Sequence, residues 1–141
     1  MKHAPWMVVV LALGTAQAQV VDYKVEGDGI PKSLTGAPGS AARGKSLLMK
    51  REAANCLSCH SINDKDLRPG GSRGPALDGV GAQLTAAQLR LSVVDYSRIS
   101  RDATMPSFHK AGRGSDKDAP ILTAQEIEDV VAFLATLRYN K

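Results

Sequence analysis

The chain has 141 residues, which is enough for one domain and too few for two independent cores. Its formal net charge is +4, with basic and acidic residues interspersed. So small an excess does not indicate nucleic-acid binding, and it is compatible with docking onto an acidic protein surface. Aromatic residues make up only 4% of the chain, so we expect something other than aromatic side chains to fill part of the core.

The first 18 residues have the features of a secretory signal peptide. A basic residue, Lys2, precedes an apolar run over 6–13, and the sequence AQA at 16–18 forms a small-residue cleavage site. The apolar run is much shorter than the roughly 20 residues that a membrane-spanning helix needs. We therefore expect cleavage near Ala18 and a mature protein that is exported to the periplasm without a membrane anchor.

The mature chain divides into an arm and a domain. Residues 19–39 predict an irregular N-terminal arm, because glycines and prolines recur there with no helical or strand period. Residues 40–141 predict a single all-α domain with three to four helices and long connecting loops, because no β-alternating segment of convincing length is present.

The predicted helices begin at recognisable capping residues. Ser40 can cap the first helix. The sequences LTAAQL and LTAQEI each place a threonine at an N-cap and a Gln or Glu three residues later, which is the pattern of a capping box. The paired residues of these two boxes are Thr85 with Gln88 and Thr123 with Glu126.

The last predicted helix is amphipathic, and a long loop precedes it. Its apolar stripe runs over 127–137, and we expect Glu128, Asp129 and Arg138 to face away from that stripe. The preceding residues 97–121 have no strong period. A loop of that length in a small domain is usually functional or disordered.

The sequence NCLSCH holds the only two cysteines of the chain, Cys56 and Cys59, with His60 directly behind them. A thioredoxin-like redox pair would be expected beside a βαβ pattern, which this sequence lacks. A zinc site would need more ligands, and the adjacent Cys59 and His60 seldom bind one tetrahedral ion comfortably. The third interpretation is covalent haem attachment, for which C-x-x-C-H is the specific signature.

The spacing of this motif suits haem chemistry. Two thiols that are separated by two residues on a helical turn can add to the two vinyl groups of one porphyrin, and the next side chain then directs its imidazole toward the iron. We therefore predict one covalently bound haem c, attached through Cys56 and Cys59, with His60 as an axial ligand of the iron. A buried porphyrin would also supply apolar surface that the few aromatic residues do not.

The second axial position has three candidates in the mature chain: Met49, Met105 and His109. Met49 is predicted to pack in the first helix. Met105 precedes Pro106 in the long loop, where a fixed backbone can hold its thioether over the ring, so it is our predicted distal ligand. His109 is the alternative, although an exposed loop histidine is its simpler interpretation. An open iron would instead indicate a haem sensor or a peroxidase.

The sequence GPALDGVG follows the haem motif. We predict that the Pro75 carbonyl accepts the Nδ1 proton of His60, which would orient the imidazole and raise its basicity. A plain turn is the alternative interpretation of this segment.

With CLSCH, GPALDGVG, TMPSFH and LTAQEIEDVVAFLATL in this order, the chain resembles the class I c-type cytochromes. Gly44 and Phe133 match the positions at which the first and last helices of that family cross. More narrowly, residues 39–138 resemble the SoxX-type monohaem cytochromes of the bacterial sulfur-oxidation (Sox) system. This narrower resemblance rests on three sequences in combination: GKSLLMKREAANCLSCH, VVDYSRISRDATMPSFH and APILTAQEIEDVVAFLATLR.

The resemblance implies the electron-transfer haem subunit of the periplasmic SoxAX complex, an L-cysteine S-thiosulfotransferase that oxidatively couples thiosulfate to a cysteine of a carrier protein. The implied partners are a dihaem or monohaem SoxA-type cytochrome, in a heterodimer, and a downstream cytochrome that accepts electrons. The sulfur chemistry is expected on the SoxA-type subunit. The alternative is a freestanding periplasmic electron shuttle with one haem, and the arm over 19–39 slightly favours the complex because it could wrap a second subunit.

A basic surface is also expected around the exposed haem edge, where it would guide an acidic partner. The residues predicted to form it are Lys50, Arg51, Arg98, Arg101 and Lys110.

Overall fold

A computed structural model describes residues 19–50, 52, 54–112 and 118–139. The predicted signal peptide and Arg51 lie outside these residues. The helices are α1 (Ala41–Met49), α2 (Val80–Gln83), α3 (Ala86–Asp95) and α4 (Ala124–Thr136), with 3₁₀ turns at Cys56–Ser58 and Tyr96–Arg98. Within the described ranges there is no β-strand, only one isolated bridge between Glu26 and Gly29. The predicted all-α fold with long loops is therefore confirmed.

The predicted helix starts are confirmed by their hydrogen bonds. At the start of α1, the Ser40 side chain accepts a hydrogen bond from the Arg43 backbone N–H. Both capping boxes are complete, with the threonine and the Gln or Glu each bonding the backbone of the other. These local bonds satisfy N–H groups that the first turn of a helix leaves without an internal partner.

Helix α4 is the centre of the packing, because α1, α2 and α3 all contact it. The closest approach is to α1. A Cβ added to Gly44 would overlap the backbone carbonyl of Asp129 and would lie 2.9 Å from the Phe133 Cβ. The missing side chain of Gly44 thus lets the two backbones meet, and the crossing that the family resemblance implied is confirmed.

Glu128 was expected to face solvent, and that prediction is wrong, since only 5% of this residue is exposed. Its carboxylate forms an ion pair with Arg90 of α3, with 2.8 Å between Arg90 Nε and Glu128 Oε1. The same Oε1 accepts a hydrogen bond of 2.9 Å from the Leu34 backbone N–H of the arm. The charge is tolerated in the interior because it is both paired and hydrogen-bonded.

Asp129 is also buried, at 2% exposure, against the prediction that it faces solvent, whereas Arg138 is exposed as predicted. The Asp129 carboxylate accepts hydrogen bonds from the Ser40 backbone N–H at 2.7 Å and from Arg43 Nε at 2.6 Å. Burial alone would raise the pKa of this carboxyl, but these hydrogen bonds and the Arg43 charge outweigh it and hold the pKa below its usual value. The polar face of α4 is thus covered by α1 and the residues before it.

The arm over 19–39 contains no helix and packs against the helices. Ile30 is 1% exposed, and its backbone N–H donates to the Ala87 carbonyl at 2.9 Å. Its own carbonyl accepts a hydrogen bond from Arg90 Nη1 at 2.6 Å. The arm therefore supplies both apolar and polar partners to α3 and α4.

None of the helices in the described part of the chain combines the length and the apolar character needed to cross a membrane.

Candidate haem-binding site

The cysteine motif forms one tight turn. The backbone N–H groups of Cys59 and His60 both donate to the Cys56 carbonyl, at 3.1 and 3.0 Å. Asn55, which precedes the turn, has φ 43° and ψ 41°, and it is the one non-glycine residue with positive φ among the described residues. Asparagine tolerates this left-handed conformation better than most residues. The 3₁₀ turn at Cys56–Ser58, with Cys59 as its C-cap, thus brings the two cysteines and His60 close together.

The imidazole of His60 is oriented by one hydrogen bond. Its Nδ1 lies 2.7 Å from the Pro75 carbonyl oxygen, so the predicted contact is confirmed. A carbonyl oxygen can only accept, and Nδ1 must therefore carry the proton and donate it. Nε2 is then the nitrogen with the lone pair, which is the form of imidazole that binds a metal ion.

The loop after the motif runs alongside it and is bonded to its backbone. Gly71 N–H donates to the Leu57 carbonyl at 3.0 Å, and Gly74 N–H donates to the Cys59 carbonyl at 2.9 Å. A Cβ on Gly74 would overlap the His60 ring. The imidazole is thus held by the Pro75 carbonyl and packed directly against the Gly74 backbone.

Both cysteines carry free thiols. Burial raises the pKa of the Cys56 thiol to about 11. A redox-active cysteine of the thioredoxin type needs the opposite shift, toward a reactive thiolate at neutral pH. The structure therefore disfavours the redox-pair interpretation of the motif. Among the described residues, no group of three or more His, Cys, Asp or Glu side chains is arranged to hold a metal ion.

The two methionine candidates have different environments. Met105 is partly buried and packs against the hydrophobic core that Cys56 also contacts. Met49, the last residue of α1, is 36% exposed, so the prediction that it packs in that helix is wrong. Of the two thioethers, that of Met105 is the one associated with the core.

His109 is not the exposed loop residue that its sequence context suggested, because only 1% of it is accessible. Its Nδ1 donates to the Leu122 carbonyl at 2.9 Å, since a carbonyl cannot donate. Its Nε2 accepts a hydrogen bond of 3.0 Å from the Val21 backbone N–H. Both ring nitrogens are therefore occupied, which disfavours His109 as a ligand of the iron and gives it a structural role between the arm and the loop.

Further contacts fix the loop just after Met105. The Phe108 backbone N–H donates to the Val93 carbonyl at 3.3 Å, and the Leu122 N–H donates to the Phe108 carbonyl at 2.9 Å. Ser107 Oγ donates to Asp95 Oδ1 at 2.6 Å. Burial would raise the pKa of the Asp95 carboxyl, but the hydrogen bonds from Ser107 and Ser97 outweigh it and lower the pKa. The ionised carboxylate is the form that accepts both bonds.

The residues of the site fit a haem c. Two free thiols on one turn are separated by two residues, and the next residue is an imidazole whose Nε2 carries the lone pair. The Gly74 backbone packs against that imidazole. The partly buried thioether of Met105 packs against the hydrophobic core that Cys56 also contacts. Thiols, imidazole and thioether are the groups that attach and ligate haem iron in c-type cytochromes.

Comparison with known proteins agrees with this chemistry. The family model for cytochrome c matches residues 41–138. Among solved structures, "Crystal structure of SoxXA from P. pantotrophus" contains a chain that is 38% identical to this one, with a TM-score of 0.74. That match covers 79% of this chain and 91% of the other. This chain belongs to the cytochrome c family, as a class I cytochrome of the SoxX type.

A second structure is more distant from this SoxX-type cytochrome. The X-ray structure of ferric cytochrome c-550 from Paracoccus versutus is 24% identical, and the match covers 72% of this chain and 99% of that one. Its TM-score is 0.43. No curated protein is similar enough to this cytochrome to count as a match.

Sequence reasoning missed two residues of the site. Arg68 donates to the Leu57 carbonyl and to the Asn55 side chain, at 3.3 and 2.7 Å. Nothing in the sequence around Arg68 distinguishes it from an ordinary loop arginine. Asn55 could have been noticed, because an asparagine directly before a tight turn is typical of left-handed backbone.

Proposed function

We propose that this cytochrome is the electron-transfer haem subunit of a periplasmic SoxAX-type complex that oxidatively couples thiosulfate to a carrier-protein cysteine. The observation that supports this most strongly is the match to a chain of SoxXA from P. pantotrophus, which extends over 91% of that chain at 38% identity. The geometry of His60, with Nδ1 donating to Pro75 and Nε2 carrying the lone pair, supplies a proximal ligand for the cofactor that this role requires.

In this proposal, Cys56 and Cys59 attach one haem c. Each S–H group would add across one vinyl double bond, which needs neither an oxidant nor a reductant. His60 and Met105 would ligate the iron. The bound haem supplies reversible one-electron transfer, and a thioether ligand favours the reduced iron and raises its potential.

The division of labour with a partner follows from the same residues. With both cysteines of the chain committed to the cofactor, no thiol remains to carry sulfur. An iron with ligands from His60 and Met105 has no free position for thiosulfate. We therefore assign the sulfur chemistry to a SoxA-type dihaem or monohaem partner subunit, and the onward transfer of electrons to a downstream cytochrome.

The arm does not discriminate between a complex and a freestanding shuttle. Ile30 and Leu34 of the arm are buried in the core of this chain, so their side chains are not available to contact a second subunit. The charged surface is a better candidate for partner docking. Four of the basic residues predicted to surround the haem edge are exposed: Lys50, Arg98, Arg101 and Lys110. Exposed charges of this sign would speed association with an acidic partner at low salt.

Purification of the protein from its native periplasm tests the proposal. We expect a second haem protein to accompany it through two chromatographic steps that separate by different properties. Denaturing electrophoresis with haem staining should then show two coloured bands. A single haem protein that elutes as a monomer would contradict the SoxAX assignment and favour the electron shuttle.

A further inference from the structure

We propose that Arg68 and Asn55 are positioning residues that hold the haem-attachment turn and, through the loop beyond it, the orientation of the His60 imidazole. This inference rests on the proposed haem site. It assigns a positioning role to two residues that are neither part of the C-x-x-C-H motif nor axial ligands. The guanidinium of Arg68 donates from Nη2 to Asn55 Oδ1 at 2.7 Å and from Nη1 to the Leu57 carbonyl at 3.3 Å.

The contact with Asn55 acts at the residue where the turn begins. Asn55 is the residue with left-handed backbone, at φ 43°, and its carbonyl accepts the Ser58 N–H at 2.9 Å. A non-glycine residue in this conformation persists only where its surroundings stabilise it. A charge-assisted hydrogen bond to its side chain fixes both the rotamer and the backbone of Asn55.

The contact with Leu57 acts in the middle of the turn. The Leu57 carbonyl accepts from Arg68 and also from the Gly71 N–H, at 3.0 Å, so one oxygen joins the turn to two points of the following loop. Leu57 itself is 1% exposed. The turn is therefore fixed from its buried side and from the loop at the same residue.

The loop transmits this constraint to His60. It starts at the Arg68 contact with the turn and ends where the Pro75 carbonyl accepts the His60 Nδ1 proton. Between these points the Gly74 N–H bonds the Cys59 carbonyl, at 2.9 Å. The turn and loop thus form a closed structure with bonds at both ends. Loss of the Arg68 hydrogen bonds should weaken the hydrogen bond between His60 and Pro75. The orientation of the imidazole plane should then be less fixed.

The test compares variants of the full-length holoprotein. Asn55→Gly removes the side-chain acceptor but keeps a residue that adopts left-handed backbone easily, so it should fold. Arg68→Gln removes the guanidinium and its charge, whereas Arg68→Lys keeps the charge and loses the planar fork. Arg73→Gln is the matched control, because Arg73 is an exposed arginine on the same loop.

Two readouts separate positioning from general stability. Electron paramagnetic resonance of the ferric protein reports the orientation of the axial imidazole, and hydrogen exchange reports opening of the turn at the Cys59 and His60 amides. We expect Asn55→Gly and Arg68→Gln to shift the resonance spectrum in the same way, with exchange about tenfold faster, as expected for the loss of one charge-assisted hydrogen bond. The double variant should match Arg68→Gln, because Arg68→Gln already removes the hydrogen bond to Asn55 that Asn55→Gly removes.

Three outcomes would overturn the inference while leaving the haem site intact. The first is a wild-type resonance spectrum in Asn55→Gly, and the second is a wild-type spectrum and exchange rate in Arg68→Lys. The third is an equal spectral shift in Arg68→Gln and in the Arg73→Gln control, which would indicate an effect of charge alone. If Arg68→Gln fails to fold, Asn55→Gly still decides, since it changes no charge and strains no backbone. Absence of covalent haem from the wild-type protein would instead contradict the proposed function.

Discussion

The attachment turn at 55–60 and the loop that carries Met105 contact the same core, but they are held by partners at very different distances along the chain. The side-chain bonds of the turn reach at most 15 residues, as in the contact between His60 and Pro75. His109, on the Met105 loop, bonds Val21, which lies 88 residues earlier. The turn is therefore built almost entirely by its own segment, whereas the loop depends on the arm.

This difference matters for function because the two regions would supply the two axial ligands. A proximal ligand fixed by local bonds should survive changes elsewhere in the molecule. A distal ligand on a loop that is held by the arm should be the more sensitive of the two. Each region can be perturbed separately by substitution.

The largest effect is expected from removing both attachment thiols. In Cys56→Ala/Cys59→Ala, no thioether can form, and denaturing electrophoresis with haem staining should show a colourless chain, whereas the wild-type chain keeps its colour in acidified organic solvent. Ser58→Ala, an exposed position between the two cysteines, is the control and should stain normally. Haem that stays with the double variant after denaturation would contradict covalent attachment at these residues.

The distal side is tested next by Met105→Ala. We expect loss of the sulfur-to-iron charge-transfer band and the appearance of carbon monoxide binding to the ferrous protein, because the iron loses its thioether ligand. Met49→Ala removes the same chemical group from an exposed site at the end of α1, so it should leave both properties unchanged. The assignment is wrong if Met49→Ala abolishes the band, or if it persists in Met105→Ala.

His109→Ala should weaken the fold without replacing the distal ligand. It removes the bonds to Val21 and to Leu122, and the free energy of unfolding should fall by about 2–5 kcal/mol, since one buried and one partly buried backbone group lose their partner and a cavity remains. Urea denaturation measures this, with exposed Lys110→Ala as the control. At low temperature the charge-transfer band should persist. Carbon monoxide binding by ferrous His109→Ala at normal stability, together with a wild-type spectrum in Met105→Ala, would make His109 the ligand instead.

Asp129 gives a smaller effect with a defined pH dependence. Its pKa is held below the unfolded value of about 3.9, so its contribution is fully present above that pH and is lost as pH falls through the folded pKa. Asp129→Asn should lower the free energy of unfolding at pH 7 by roughly 1–3 kcal/mol. The difference from wild type should shrink below about pH 4. Exposed Asp102→Asn should show no such difference, and a pH-independent effect of Asp129→Asn would contradict this account.

Features with short-range causes were predictable from the sequence. The capping boxes at Thr85 and Thr123 depend on residues three positions apart, and both are present. The contact between His60 and Pro75 joins a signature motif to the GPALDGVG segment 15 residues on, and it is also confirmed. The close crossing at Gly44 needed the family resemblance, because nothing near that glycine in the sequence identifies its partner helix.

Features with long-range causes were not predictable. Glu128 and Asp129 occupy positions that the helical period places on the solvent-facing side of α4. They are buried because the arm and the start of α1 cover that side. His109 looks like any loop histidine until Val21 and Leu122 are brought to its two ring nitrogens. In each case the residue that decides burial lies more than 12 residues away in the sequence.

The most direct test of the electron-relay role is thiosulfate-dependent reduction of the haem in this cytochrome, followed by its absorption spectrum. With the purified chain alone we expect no reduction, because an iron ligated by both His60 and Met105 would have no coordination position for thiosulfate. After addition of a SoxA-type subunit and its carrier protein, the haem should become reduced. Substantial turnover by the lone chain would contradict the account, and so would the absence of reduction in the complete mixture.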